Sequence, residues 1–185
     1  MSVQDDQLAI IAGLLRQRND IDARIAAIID RPVTAGHLGE WVAARIFDIT
    51  LQRSATAAAL DGHFARGTLT GQSVNVKWYL KREGLLDVTR SGPLDYYLVL
   101  AGPAAAAAHS RGTTRPWVIE SVHLFDARQL LSDVQARGAK IGTATSILAA
   151  QWTEAEIYPR QHNPTLVVSP RQAELLRLLA APRTH

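Results

Sequence analysis

Four polar residues set among apolar neighbours could carry chemistry: Glu40 in GHLGEWVAARIF, Asp61 in LDGHF, and Asn75 and Lys77 in QSVNVKWYL. Removing a charge from water is costly unless a partner compensates it, so a carboxylate in an apolar stretch faces something positive. Magnesium and manganese prefer hard oxygen ligands. Asp61 would supply an anionic oxygen, Asn75 a neutral amide oxygen and Val76 its carbonyl, with Glu40 binding directly or through water. A divalent ion held there lowers the pKa of a bound water and neutralises phosphate charge. Lys77 would orient or deprotonate the attacking water, or stabilise the charge developing at phosphorus. This is the equipment of a metal-dependent phosphodiesterase.

The elements that must position these residues are legible around them. Thr34 caps a helix that runs through about Phe47, with Leu38, Trp41, Val42 and Ile46 on one stripe. Gly36, Ala43, Ala44 and Phe47 surround Glu40 at helical spacings, so the helix is apolar on most sides and buried. Two strands follow, Asp61 to Arg66 and Gln72 to Leu80, joined by GTLTG with glycine at both ends. In the second, Val74, Val76, Trp78 and Leu80 alternate with Ser73, Asn75, Lys77 and Tyr79. Pairing Arg66 with Gln72 sets Asp61 opposite Lys77 and His63 opposite Asn75, provided the register does not slip. His63 is thereby a secondary candidate for a metal or phosphate contact.

Elsewhere, Asp5 to Asp30 reads as one long helix or two, with Leu8, Ile11, Leu15, Ile21, Ile25, Ile28 and Ile29 at spacings of three and four, ended by Pro32. Its heptad breaks at Arg18, which argues for ordinary packing over a coiled-coil seam. LQRS at 51–54 suggests a short strand, and 94–102 and 115–126 suggest two longer ones. Asp126 caps a helix from Ala127 to about Ala136 with Gly138 as its stop, and Ser169 with Pro170 opens a last helix. Residues 140–164 carry no clear period. Helix, hairpin, further strands and covering helices predict an α/β (α+β) layer fold: a mixed central sheet flanked by helices, with an added N-terminal helix.

The chain has 185 residues, 47% hydrophobic and 20% charged, which suits one globular domain. Within it, 1–31 forms a helical extension, 34–126 the core and 127–185 a C-terminal helical region. The absence of cysteine excludes disulfides, thiolate catalysis and Cys-based zinc sites, and fits a reducing compartment. No basic signal-peptide start and no membrane-length apolar run predict a cytoplasmic protein with no membrane partner. A net charge of +3 with a pI near 9.6 is compatible with nucleic acid without demanding it. Lys81, Arg82, Arg111 and Arg115 are the cations placed to contact phosphates.

Asp61, then thirteen residues, then Asn75–Val76–Lys77, preceded by helical Glu40, resembles the PD-(D/E)XK nuclease superfamily over residues 34–126. In that family the aspartate begins one strand of a hairpin, the D/E-x-K triplet lies on the next and an earlier helix often supplies a glutamate. Leu60 stands where the family has proline, and Asn75 where it has aspartate or glutamate. GHLGEWVAARIF, SATAAALDGHF and VNVKWY also look like a set of small bacterial proteins with that core. The resemblance implies a restriction-endonuclease-like fold, a nuclease using one or two Mg²⁺ or Mn²⁺ ions, DNA as the favoured nucleic acid, and a homodimer. Its alternative is a catalytically lapsed nuclease fold, with Asn75 marking the loss, that binds nucleic acid or a protein partner. Blander readings exist for each residue. Asn75 and Lys77 suit the wet face of any amphipathic strand, Asp61-Gly62 is a common turn pair, and Glu40 could pair with Arg45 or Arg53.

Overall fold

The computed structural model describes residues 3–52, 60–90, 92–104 and 115–182. A long helix α1 (Val3–Ile29) leads into α2 (Ala35–Phe47), then strands β1 (Ile49–Leu51), β2 (Gly62–Phe64), β3 (Ser73–Tyr79), β4 (Leu85–Leu86), β5 (Tyr96–Ala101) and β6 (Ser121–Asp126). The chain continues through α3 (Ala127–Ala136), β7 (Thr145–Ser146), α4 (Ala149–Ala155), β8 (Glu156–Tyr158) and α5 (Pro170–Leu178). The main sheet has the order β1-β2-β3-β5-β6-β8. Its strands pair antiparallel except β3 with β5. β4 and β7 form a separate two-stranded sheet.

The protein is thus an α+β fold with a mixed central sheet flanked by helices and a helix added at the N-terminal side. Alternation along the strands divides the core into two layers. Val74, Val76, Trp78, Leu98, Leu100, Val122 and Leu124 face α2 and α5. Tyr97, Val99 and Phe125 face the other way, with Leu130 and Val134 of α3 and Trp152 of α4. Close approach of α2 to β3 depends on Gly39, where a Cβ would lie 3.0 Å from the Trp78 Cβ.

The caps behave as their residue types require. Thr34 accepts the His37 amide at 3.1 Å, Asp126 accepts those of Arg128 and Gln129, and Ser169 with Gln172 closes a reciprocal box around α5. Gly67 and Gly71 at the two ends of the hairpin loop both take positive φ, 79° and 82°.

The hairpin register differs from the sequence expectation by two residues. Gly62 faces Val74 and His63 faces Ser73, so Asp61 comes level with Asn75 rather than Lys77. The loop explains the shift. Ala65 leaves β2 to donate to the Asp48 carbonyl (2.7 Å), and Gly71 closes the hairpin on the Phe64 carbonyl (2.8 Å), while Leu69 turns into the core. A slip of two preserves which face each side chain takes; a slip of one would not.

The short first strand is Ile49–Leu51, meeting LQRS only at Leu51, with residues 53–54 outside the described residues, and the strand expected over 115–126 is regular only from Ser121. The segment 140–164 holds β7, α4 and β8, and β8 joins the main sheet beside β6. The sheet therefore extends beyond the 34–126 core into the region expected to be helical.

Candidate functional site

Asp61 stands immediately before β2, with its backbone fixed on both sides. Its amide donates to the Val74 carbonyl (3.1 Å) and its carbonyl accepts from Gln52 (2.8 Å). Its carboxylate Oδ2 accepts the Val76 amide at 2.7 Å, inside the Asn75–Val76–Lys77 triplet. On β3, β2 pairs with Ser73 and Val74 and not with Val76, so a side chain rather than a β2 carbonyl satisfies that N–H.

Several charges act on this one carboxylate. Burial pushes the Asp61 pKa up, and the negative field of Glu40 adds to the rise. The Val76 hydrogen bond and the positive fields of Lys77 and Arg31 pull it down. Glu40 and Lys77, which the sequence singled out separately, are therefore both brought within electrostatic reach of Asp61.

Glu40 is held by a residue the sequence did not suggest. Arg31, which follows the end of α1, donates through Nη1 to Glu40 Oε2 at 2.5 Å, and the Glu40 side chain is only 17% exposed. Arg45 instead lies over the Trp41 ring, 3.5 Å from its centroid, and Arg53 falls outside the described residues. Arg31 escapes local pattern reading because it sits past a helix end, nine positions from Glu40.

Asn75 is buried and Lys77 half-buried, on the face of β3 turned away from α2. Both line a cleft of about 350 Å³ together with Asp87, Thr89, Arg90, Tyr97 and Gly142–Thr143. Residues 87–90, on the crossover from β3 to parallel β5, form its wall, and two tyrosines hold that wall. Tyr79 Oη accepts the Asp87 amide (2.9 Å) and Tyr97 Oη accepts the Thr89 amide (3.0 Å). Burial pushes the hydroxyl pKa of both tyrosines up, so they remain neutral. Asp87 in turn accepts the Ala144 amide at 2.8 Å, joining the far side of the cleft. Arg90 was missed by sequence reasoning. Its place depends on the β3–β5 register, which sets Tyr97 level with Asn75 and is not written in either strand alone.

The expected phosphate contacts do not gather here. Lys81 is buried, its side chain 3% exposed, and it bonds Glu83 at 2.9 Å, so it does not face solvent as a phosphate contact must. Arg115 reaches the same Glu83 at 3.6 Å. The Arg82 guanidinium lies 5.7 Å from the Trp152 ring centroid. Arg111 lies outside the described residues. His63, opposite Ser73, lies instead in the field of Asp95, whose carboxylate accepts the Ser73 amide and hydroxyl at 2.9 and 2.7 Å. Among the described residues, no three histidine, cysteine, aspartate or glutamate side chains converge as a metal cluster. The carboxylate oxygens of Asp61 and Glu40 lie within each other's field, while Asn75 lines the cleft with Lys77 and without either carboxylate.

Compared with known proteins, the chain matches no family model and no curated protein sequence. Among the described residues, no helix is long and apolar enough to cross a membrane.

Proposed function

We propose that the protein is a divalent-metal-dependent phosphodiesterase acting on nucleic acid, with DNA favoured by its resemblance to PD-(D/E)XK nucleases, working as a homodimer in the cytoplasm. The observation that carries this proposal is the Asp61–Val76 bond. It ties the carboxylate heading one strand to the triplet on the next, with Glu40 and Lys77 acting on the same group. Asp61, Asn75 and Glu40 are the residues to hold Mg²⁺ or Mn²⁺, and the raised pKa of Asp61 marks a place where a cation would relieve electrostatic cost. A bound ion would acidify a water and neutralise phosphate charge. Lys77 at the cleft would orient that water or take its proton, and Arg90 on the cleft wall would hold a neighbouring phosphate oxygen.

Asn75 sets the metal preference. An amide oxygen carries no full charge, so the ion is held more weakly than by two strand carboxylates, and Mn²⁺ tolerates such a site better than Mg²⁺. Cleavage should be stronger with Mn²⁺, and Asn75→Asp should tighten metal binding while costing stability without metal. The test is thermal melting of the parent and Asn75→Asp, each with and without Mn²⁺, beside a cleavage assay. If Mn²⁺ stabilises neither protein, the metal site is refuted.

One observation favours a second reading. Arg31 on Glu40, together with Lys77 near Asp61, balances two negative charges with two positive ones and no metal. A lapsed nuclease fold that binds nucleic acid or a protein would keep such a network. Salt-sensitive nucleic-acid binding without cleavage in Mn²⁺ would select it.

A further inference from the structure

Helix α1 leaves an apolar face uncovered. Leu8, Ile10, Ile11, Leu14, Leu15 and Ile21 are 51–68% exposed. At 100° per residue they fall on a single arc about 160° wide. Among the described residues, the helix is most buried near its end, where Ile29 is buried and Asp22, Ile25 and Ala26 are half-buried. There it forms one wall of a groove of about 530 Å³, lined by Leu14, Ile21, Ile25, Val33, Leu38 and Trp117. One molecule thus carries both a bare apolar half-helix and an apolar groove beside the other half.

The charges on this arc specify what covers it. Arg18 and Asp22 interrupt the apolar stripe at mid-helix, 3.7 Å apart, with side chains 69% and 41% exposed. A parallel, in-register pair of such helices would set Arg18 against Arg18 and Asp22 against Asp22, a like-charge clash. An antiparallel pair centred near Asp20 sets each Arg18 against the other copy's Asp22, and Leu15 against Ile25. The pattern is therefore self-complementary under a two-fold axis, as an isologous interface requires.

We propose that the occupant of this groove is a second copy of the chain, docked through α1 in antiparallel orientation, with Leu8, Ile11 and Leu15 of each copy seated beside Ile25, Leu38 and Trp117 of the other. Arg18 and Asp22 exchange partners between the copies. The interface deepens the homodimer part of the proposed function but rests on α1 alone, so a monomeric parent would refute the dimer while Mn²⁺-dependent melting still tests the metal site.

Sedimentation equilibrium on the full chain tests it. The parent should be a dimer at tens of micromolar. Arg18→Asp and Asp22→Arg should each weaken the dimer by about tenfold or more, and mixing the two variants should restore association. Neither variant holds the intrachain pair, so restoration requires the charges to meet across copies. The chain lacks cysteine, so Ala9→Cys gives a single spin-label site on the exposed side of α1. Antiparallel docking places the two labels about 33 Å apart along the helix axis, whereas parallel docking places them side by side. A parent that stays monomeric at about 100 μM, a mixture that does not associate, or side-by-side labels would each overturn the proposal.

Discussion

Asp61 Oδ2 accepts the Val76 amide at 2.7 Å, which makes the residue heading β2 a structural part of the triplet on β3. The bond survives in Asp61→Asn, whose amide oxygen can accept the same N–H. The charge does not. Because burial holds the Asp61 pKa above its ordinary 3.8, the folded protein binds that proton more tightly than the unfolded chain. The resulting stability is present on the acid side and is lost as pH rises from 3.8 through the raised value. Asp61→Asn should therefore raise Tm at pH 7 and remove this part of the slope. It should also abolish any stabilisation by Mn²⁺. Melting from pH 3 to pH 7 checks both, and a lower Tm at pH 7 would contradict the assignment.

The role proposed for Lys77 is separable from folding, since its side chain is half-buried at a cleft rather than in the core. Lys77→Ala should lower turnover in Mn²⁺ by roughly 10²–10⁴ with far-UV dichroism unchanged. A variant that cleaves like the parent would remove Lys77 from the mechanism.

Two glycines should respond in opposite directions to the same substitution. A Cβ on Gly62 would lie 2.4 Å from the Thr50 carbonyl oxygen, a backbone atom that cannot step aside without parting β2 from β1. Gly62→Ala should cost about 1–3 kcal/mol and blunt the Mn²⁺ response through its neighbour Asp61. Gly36 in α2 meets nothing closer than 3.8 Å, so Gly36→Ala should gain about 0.5–1 kcal/mol from helix propensity. Urea unfolding of both variants measures the contrast.

His123 should govern stability in mild acid. Its Nδ1 lies 2.8 Å from the Trp152 carbonyl and its Nε2 lies 2.9 Å from Ser121 Oγ. A carbonyl only accepts, so Nδ1 carries the proton and Nε2 accepts from the hydroxyl. Burial lowers its pKa from 6.5 to about 4. The unfolded chain therefore takes up this proton first, and stability falls as pH drops from 6.5 toward 4. His123→Gln, which lacks the titration, should flatten stability across that window in urea titrations at several pH values.

Local rules carried the helices and strands furthest. Thr34, Asp126 and Ser169 mark three helix starts correctly because capping is a contact between near neighbours in sequence. The hairpin register was harder, since it is set by Ala65 bonding Asp48 and by Leu69 entering the core, neither of which is a property of the turn residues. The faces were still read correctly, because alternation survives a slip of two. At the site, Glu40, Asp61 and Lys77 were recognisable as charges in apolar surroundings. Arg31 and the cleft wall at Asp87–Arg90 were not, because they arrive from a helix end and a crossover whose courses no local period encodes. Lys81 shows the reverse case: a cation that looks solvent-facing after a strand is buried against Glu83.

Trp78 and Trp117 meet edge to face, with ring centroids 5.5 Å apart, and Trp78 also touches Gly39 and donates to the Val118 carbonyl. Of the four tryptophans, only Trp117 is exposed, and it forms part of the groove beside α1. The chain therefore contains its own optical gauge of what fills that groove. Iodide reaches an exposed indole more readily than a buried or half-buried one, so the most quenchable emission should come from Trp117 and fall in step with self-association. Trp117→Phe would silence that signal and leave the emission of buried Trp78 and Trp152 and half-buried Trp41 as an internal standard.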